Sequence, residues 1–298
     1  MAMYDADILA SLAFPPMSDR RNNVEQPHVN ICRWILDLNE YQCWKAQPRG
    51  LLWIKGKPGA GKSRLMSFLY HRLREQRRTE HGVHLDFSFS TRGTDMQRTP
   101  LGMLRSLLNQ IFCHDASIRP PVRELYTEKC TAFGRGERSW EWQRRELEAL
   151  LAQAILTSAQ QQQVTVFIDA LDEAGEESAR DTARYFHHIN DRVASASAAA
   201  KSCISCRQYP IPSTVRGAEV WVEKHNGRAV SAPLSCEKSW ALVPQSPISR
   251  QQSPHRLEVP AYDIVSHDVE LHRSDSASQY SHFDSQYTVE TYLASRLA

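Results

Sequence analysis

Nowhere in its 298 residues does this chain approach the roughly 18 consecutive apolar residues that a membrane-spanning helix needs. No membrane partner is therefore expected. The first residues, Met1 to Met17, carry Asp5 and Asp7 and lack a basic start before the apolar stretch, and do not read as a secretory signal. A dominant charge is also missing. Lys and Arg number 36 against 34 Asp and Glu, a net charge of +2, so nucleic acid is not expected as a partner. The seven cysteines are odd in number and irregularly spaced, which argues against a disulfide framework and for a reducing, cytoplasmic setting. No repeat period is visible, and no nucleophile–His–acid arrangement emerges. What remains, 41% hydrophobic and 23% charged residues, is an ordinary globular composition.

Hydrophobic periodicity orders the chain. Residues 1–48 read as a helical lead-in, with Val29, Cys32, Ile35, Leu36 and Leu38 spaced for one helical face over His28 to Trp44. Leu51 to Lys55 is a short apolar run ending at Gly56, the pattern of a buried strand. From Ser63 to Arg74, Leu65, Met66, Leu69, Tyr70 and Leu73 recur at helical spacing. Val83 to Ser90 alternates as a strand does. Thr99-Pro100 opens a helix through Ile111, since proline suits a first turn. Further helices are predicted over Glu146–Leu156 and Asp181–Val193, and further strands over Val164–Ile168 and Ser202–Ser205. Strands alternating with helices predict an α/β domain, a three-layer α/β/α arrangement around a mostly parallel sheet, over residues 49–226. Residues 227–287 are serine-rich with scattered prolines and hold no period, so they read as a disordered, low-complexity insert. Residues 288–298 turn helix-like again and read as the start of a truncated downstream region.

The strongest chemical signal is G-x-x-x-x-G-K-S between the first strand and helix. Gly56, Lys57, Pro58, Gly59, Ala60, Gly61, Lys62 and Ser63, with Arg64 behind them, form the candidate nucleotide-binding set. Glycines let the backbone wrap phosphate oxygens, and N–H groups of the loop and helix start face the anion. Lys62 supplies a point charge to the β- and γ-phosphates, and Ser63 a hydroxyl to Mg²⁺. A chance match in a chain this long is about one in a hundred, and the strand and helix flanks lower that further. ATP and GTP fit equally, because the motif makes no base contact.

A second signal is V-T-V-F-I-D-A-L-D-E, residues 164–173. An acid at the carboxyl end of a buried strand sits where ligands bind in such sheets. Asp169 is the candidate metal ligand, with Asp172 and Glu173 placed to polarise a water. Without the glycine loop upstream, a solvated acidic turn would explain these residues as well. The third signal is Arg207 at the end of the strand 202–205, able to sense a γ-phosphate, although a strand-end arginine is more often a surface ion pair. Cys203-x-x-Cys206 has no second pair to complete a zinc site and places its residues on opposite strand faces, so both read as buried thiols. His187-His188 reads as surface, Arg72 to Arg78 as an exposed helix face, and Trp140 and Trp142 as packing on the sheet's flank.

These residues resemble a family. Leu52 to Ser63 looks like the P-loop of fungal NACHT-type STAND NTPases, relatives of the nephrocystin-like N-terminal NTPase domain. Ser11 to Met17, Arg98 to Leu108, Asp169-Ala170-Leu171-Asp172-Glu173 and Ser205 to Pro210 are similar to further family segments, in order over about residues 9–226. The resemblance implies a nucleotide-dependent switch that hydrolyses slowly, self-associates, and signals in non-self recognition or cell death. The family's downstream helical region and repeats have no counterpart here. A non-hydrolysing scaffold that acts by self-association is the alternative, and a P-loop kinase a more distant one, since no arginine lid or acceptor pocket is identifiable. The segment Val222–Asn226 looks as if it should run into Thr288–Leu293, which reads residues 227–287 as translated intron or a lineage-specific loop. Transcript reads joining Asn226 to Thr288 are expected under the first reading; uniform coverage of the segment would contradict it.

Overall fold

The computed structural model describes residues 2–14, 32–76, 82–134, 140–207 and 217–222, all within the first of two units, Met1–Leu234. The expectations for residues 227–287 and 288–298 lie outside the described residues.

In chain order the elements are α1 (Ala2–Leu12), a 3₁₀ turn (Arg33–Asp37), α2 (Asn39–Ala46), β1 (Gly50–Gly56), α3 (Lys62–Gln76), β2 (Gly82–Ser88), the one-turn α4 (Asp95–Arg98), α5 (Pro100–His114), a 3₁₀ turn (Ala116–Ile118), α6 (Arg119–Phe133), α7 (Arg144–Ala159), β3 (Gln163–Asp169), a 3₁₀ turn (Leu171–Ala174), α8 (Glu176–Ser195), β4 (Ala200–Cys206) and β5 (Ala218–Val222). The five strands form one sheet in the order β2-β3-β4-β1-β5, and every pairing is parallel. Side-chain alternation splits the strands between two cores. Leu51 and Trp53 of β1, with Val164, Val166 and Ile168 of β3, join the side covered by α5, α7 and α8. Leu52 and Ile54, with Phe167, join the side covered by α2 and α3. This is a three-layer α/β/α architecture around a parallel sheet.

The sequence signals act locally as chemistry requires. Thr99 caps α5 by accepting from the Gly102 N–H at 3.4 Å, with Pro100 in the first turn. Edge strand β2 keeps its apolar residues Val83, Leu85 and Phe87 on one face. Its outer backbone at Asp86 is covered by the Gln110 amide, which donates to Asp86 O at 2.7 Å and accepts from Asp86 N at 3.0 Å. A side chain thus does the work of a neighbouring strand at the exposed edge. Arg105 of α5 donates to Ser11 O (2.7 Å), Ala13 O (2.9 Å) and Leu12 O (3.2 Å), so one guanidinium holds the carbonyl end of α1.

One expectation needs correction, and one helix went unread. The helix read over residues 28–44 is broken: Leu38 is extended at ψ 136°, separating the 3₁₀ turn from α2. Its apolar residues still converge, because Cys32, Ile35, Tyr41 and Trp44 all enter the same core. Helix α6 was hidden by Pro120 and Pro121, which occupy its first turn, where missing N–H groups do no harm. Trp140 and Trp142 stack edge to face with each other, and Trp140 with Tyr126 of α6, while Trp142 Nε1 donates to Ser11 of α1 at 3.1 Å. The pair ties the outer helices α1 and α6 together.

Two loop glycines differ in what they tolerate. A Cβ on Gly56 would meet Val222 O at 2.4 Å, whereas one on Gly59 meets nothing but demands φ +73°. Gly56→Ala is expected to lower stability by about 1–3 kcal/mol through overpacking against β5, and Gly59→Ala by roughly 1 kcal/mol through backbone strain. Urea unfolding checks this; a Gly56→Ala midpoint equal to wild type would contradict the close approach.

Candidate functional site

Because the sheet is parallel, the carboxyl ends of β1, β3 and β4 emerge on one edge, and every predicted site residue is the last residue of one of these strands or lies on the segment that follows it. After β1 the chain turns through Pro58 to Gly61. Gly59 (φ 73°) and Gly61 (φ 92°) take left-handed conformations that side chains resist, and Ala60 N closes the turn on Lys57 O at 3.2 Å. Lys57, Pro58, Gly59, Gly61 and Arg64 are exposed. Helix α3 starts at Lys62, so its unpaired first-turn N–H groups open at this loop. Lys62 folds back on the loop, its Nζ donating to Gly56 O (2.9 Å) and Lys57 O (3.1 Å). Burial pulls this ammonium below the usual lysine range, and the Asp172 and Asp169 carboxylates push it back up.

Ser63 and Asp169 line one narrow cleft between α3 and strands β2 and β3, together with Ser67, Asp86 and Ser88. Asp169 is 5% exposed. Ser205 on β4, wholly buried, donates its hydroxyl to Asp169 Oδ1 at 2.5 Å and accepts from Ala170 N at 2.9 Å. Ala170 itself adopts φ 55°, ψ 44°, a left-handed bend that starts the 3₁₀ turn carrying Asp172 and Glu173.

Both acids of that turn are engaged. Asp172 Oδ2 receives Arg207 Nε at 2.8 Å, and Asp172 Oδ1 receives the Arg207 backbone N–H at 2.9 Å. Here Asp172 is 9% exposed and Arg207 53%. Glu173 Oε2 accepts from Thr91 N (2.9 Å) and Thr91 Oγ1 (3.4 Å), on the loop after β2. The structure thus brings Lys62, Ser63, Asp169, Asp172 and Arg207 into one neighbourhood. Sequence reasoning passed over Thr91 and the polar side of β2. An isolated threonine in a loop carries no periodic or motif signal.

The donors suit Mg²⁺. A hydroxyl and a carboxylate leave most coordination positions to water and phosphate, as this hard, small cation prefers. Among the described residues no cluster of three or more His, Cys, Asp or Glu could hold a metal ion. The two strand cysteines point to opposite cores, Cys203 with α3 and Cys206 with the other face. Among the described residues no helix is long and apolar enough to cross a membrane.

A profile of the family described as nephrocystin 3, N-terminal, matches residues 30–207. No curated protein matches the chain. Among solved structures, the Aeropyrum pernix ORC1 protein in complex with DNA is 11% identical, with a TM-score of 0.34 over 67% of this chain and 42% of that one. The Walker-type ATPase paby2304 of Pyrococcus abyssi is 15% identical, with a TM-score of 0.33 over 71% of this chain and 57% of that one. The chain therefore spans less than two thirds of either structure, and likenesses this distant carry no weight for the site.

Burial raises the Cys203 thiol pKa and pushes that of Cys206 up to about 12. Both are expected to resist a thiol-specific aromatic disulfide in the native protein, while exposed Cys113 reacts at once. Peptide mapping checks this; labelling of Cys203 or Cys206 as fast as Cys113 would contradict their burial.

Proposed function

The chain belongs to the nephrocystin 3 N-terminal family, and from that membership and the loop geometry we propose that it binds a nucleoside triphosphate with Mg²⁺ and hydrolyses it slowly, as a signalling switch. The observation that carries this reading is the left-handed turn at Gly59 and Gly61, which opens onto the start of α3 beside the cleft shared by Ser63 and Asp169.

In this reading residues 49–226 are the nucleotide-binding domain, with residues 1–48 as its lead-in. Backbone N–H groups from Gly59 to Ser63 surround the β- and γ-phosphates. Lys62 exchanges its two loop carbonyls for phosphate oxygens, giving a half-buried ammonium charged partners in place of neutral ones. Ser63 and Asp169 would hold Mg²⁺, which when bound would neutralise charge developing on the phosphate oxygens. Of the two acids after β3, Glu173 is assigned as the base. Asp172 has both oxygens on Arg207 and serves to anchor that residue. Glu173 is oriented by Thr91, whose backbone N–H and hydroxyl both donate to its Oε2. Glu173 takes the proton of the attacking water, and Arg207 leaves Asp172 to meet the γ-phosphate. Each of these groups must first give up a contact, which suits slow turnover. The signalling role, with self-association and an output in non-self recognition or cell death, follows from the resemblance to NACHT-type STAND NTPases.

The same contacts favour a second reading, a nucleotide-loaded scaffold that turns nothing over, if Asp172–Arg207 and Glu173–Thr91 never open. Phosphate release by the purified protein separates the two. Glu173→Gln is expected to keep nucleotide affinity and lose about 100-fold in rate, while Lys62→Ala loses both. Wild-type turnover no faster than Lys62→Ala would reject hydrolysis and leave the scaffold. Saturating ATP or GTP with Mg²⁺, at about 100 times Kd, is expected to stabilise the fold by about 2.7 kcal/mol. A melting temperature unmoved by ATP, GTP and ADP would remove both readings.

A further inference from the structure

The wholly buried hydroxyl of Ser205 sits between the acid assigned to the metal and the bend that follows it. Its one proton has one destination. Because Ala170 N–H donates to Oγ at 2.9 Å, the Ser205 hydroxyl is the acceptor there, and its own hydrogen points to Asp169 Oδ1 at 2.5 Å. The strand pairing makes this contact rigid. Ile168 on β3 stands opposite Ile204 on β4, so Asp169 and Ser205 come level as the two strands end.

From this we propose that Ser205 is a positioning residue for metal binding. Its hydroxyl fixes one carboxylate oxygen of Asp169, so that the other is presented to Mg²⁺ or to a water on it. Through Ala170 it also holds the left-handed bend from which Asp172 and Glu173 project. The proposal rests on the nucleotide-binding reading above and adds a residue that touches neither nucleotide nor metal.

The bend explains why a hydroxyl is needed. A left-handed alanine is disfavoured by about 1 kcal/mol or more, and its N–H points into a buried strand end, where an unmet donor is expensive. One small side chain that both accepts and donates meets the two requirements together. Valine or alanine would strand the Ala170 N–H and free the carboxylate to rotate. Asparagine would donate to Asp169 but is larger than the wholly buried space occupied by serine.

The test is a Mg²⁺ titration of fluorescent-nucleotide binding by the whole chain, which reads metal affinity without reading turnover. Ser205→Ala is expected to raise the Mg²⁺ midpoint about 10-fold, with nucleotide affinity in EDTA unchanged. In an Asp169→Asn background the same change is expected to have no further effect. Ser205→Cys, near-isosteric and a weak donor, is expected to fall between. An unchanged midpoint in Ser205→Ala would overturn the proposal. So would equal losses with and without Mg²⁺, or a full additive effect on top of Asp169→Asn. If Ser205→Ala does not fold, Ser205→Cys carries the test, and a wild-type midpoint, or failure of both to fold, counts against a positioning role. A wild-type protein that binds no nucleotide in either buffer would instead bring down the nucleotide reading itself.

Discussion

Parallel pairing of β1, β3 and β4 is the constraint from which the site follows. Lys55 stands opposite Cys206, and Ile168 opposite Ile204, so the three strands end at nearly one level. The next residues, Gly56, Asp169 and Arg207, are delivered to one edge by backbone hydrogen bonds, before any side chain contributes. A slip of one residue in either pairing would turn Asp169 or Ser205 to the opposite face. The apolar alternation guards against such a slip, since it would exchange a strand's side chains between two differently packed cores, Trp53 of β1 on one side and Leu52 and Ile54 on the other. The buried strands thus fix the position of groups that would otherwise be mobile loop residues.

The charges at that edge are arranged around one another. Lys62 rests on two carbonyls, Asp172 holds Arg207 by side chain and backbone, Glu173 holds Thr91, and Ser205 holds Asp169. Half-buried ionised groups tolerate few unmet hydrogen bonds, and here internal partners meet them. A polyphosphate entering the loop would compete for Lys62 and Arg207 at once. Displacing them loosens the Asp172 contact at the end of β4 and so couples the loop to the strand end across the edge. Such coupling is what the proposed switch function would require of the nucleotide-free protein.

Much of this was readable from residue order alone. The glycine loop, the acidic strand end and Arg207 stand in the sequence with the spacing their chemistry demands, and the strands flanking them are plain apolar runs. The features that escaped did so for identifiable reasons. Helix α6 begins with two prolines, which read as breakers unless the first turn is recognised. Strand β5 is five residues long with only Val220 and Val222 fully buried, too short for a periodic signal. The break at Leu38 leaves the apolar spacing intact and so is invisible to it. Thr91 and Ser205 act through tertiary contacts 82 and 36 residues away, at Glu173 and Asp169, a distance that local pattern cannot span.

The claim most open to direct attack is that the backbone of the loop after β1 embraces a polyphosphate. Proton–nitrogen correlation spectra of the isotopically labelled protein, recorded while ATP and Mg²⁺ are added, observe that backbone itself. The amide signals of Gly59, Gly61, Lys62 and Ser63 are predicted to move together and saturate, with those on the distant helix α6 unmoved. Loop amides that stay in place at saturating nucleotide, or shifts that gather elsewhere on the protein, would contradict the account.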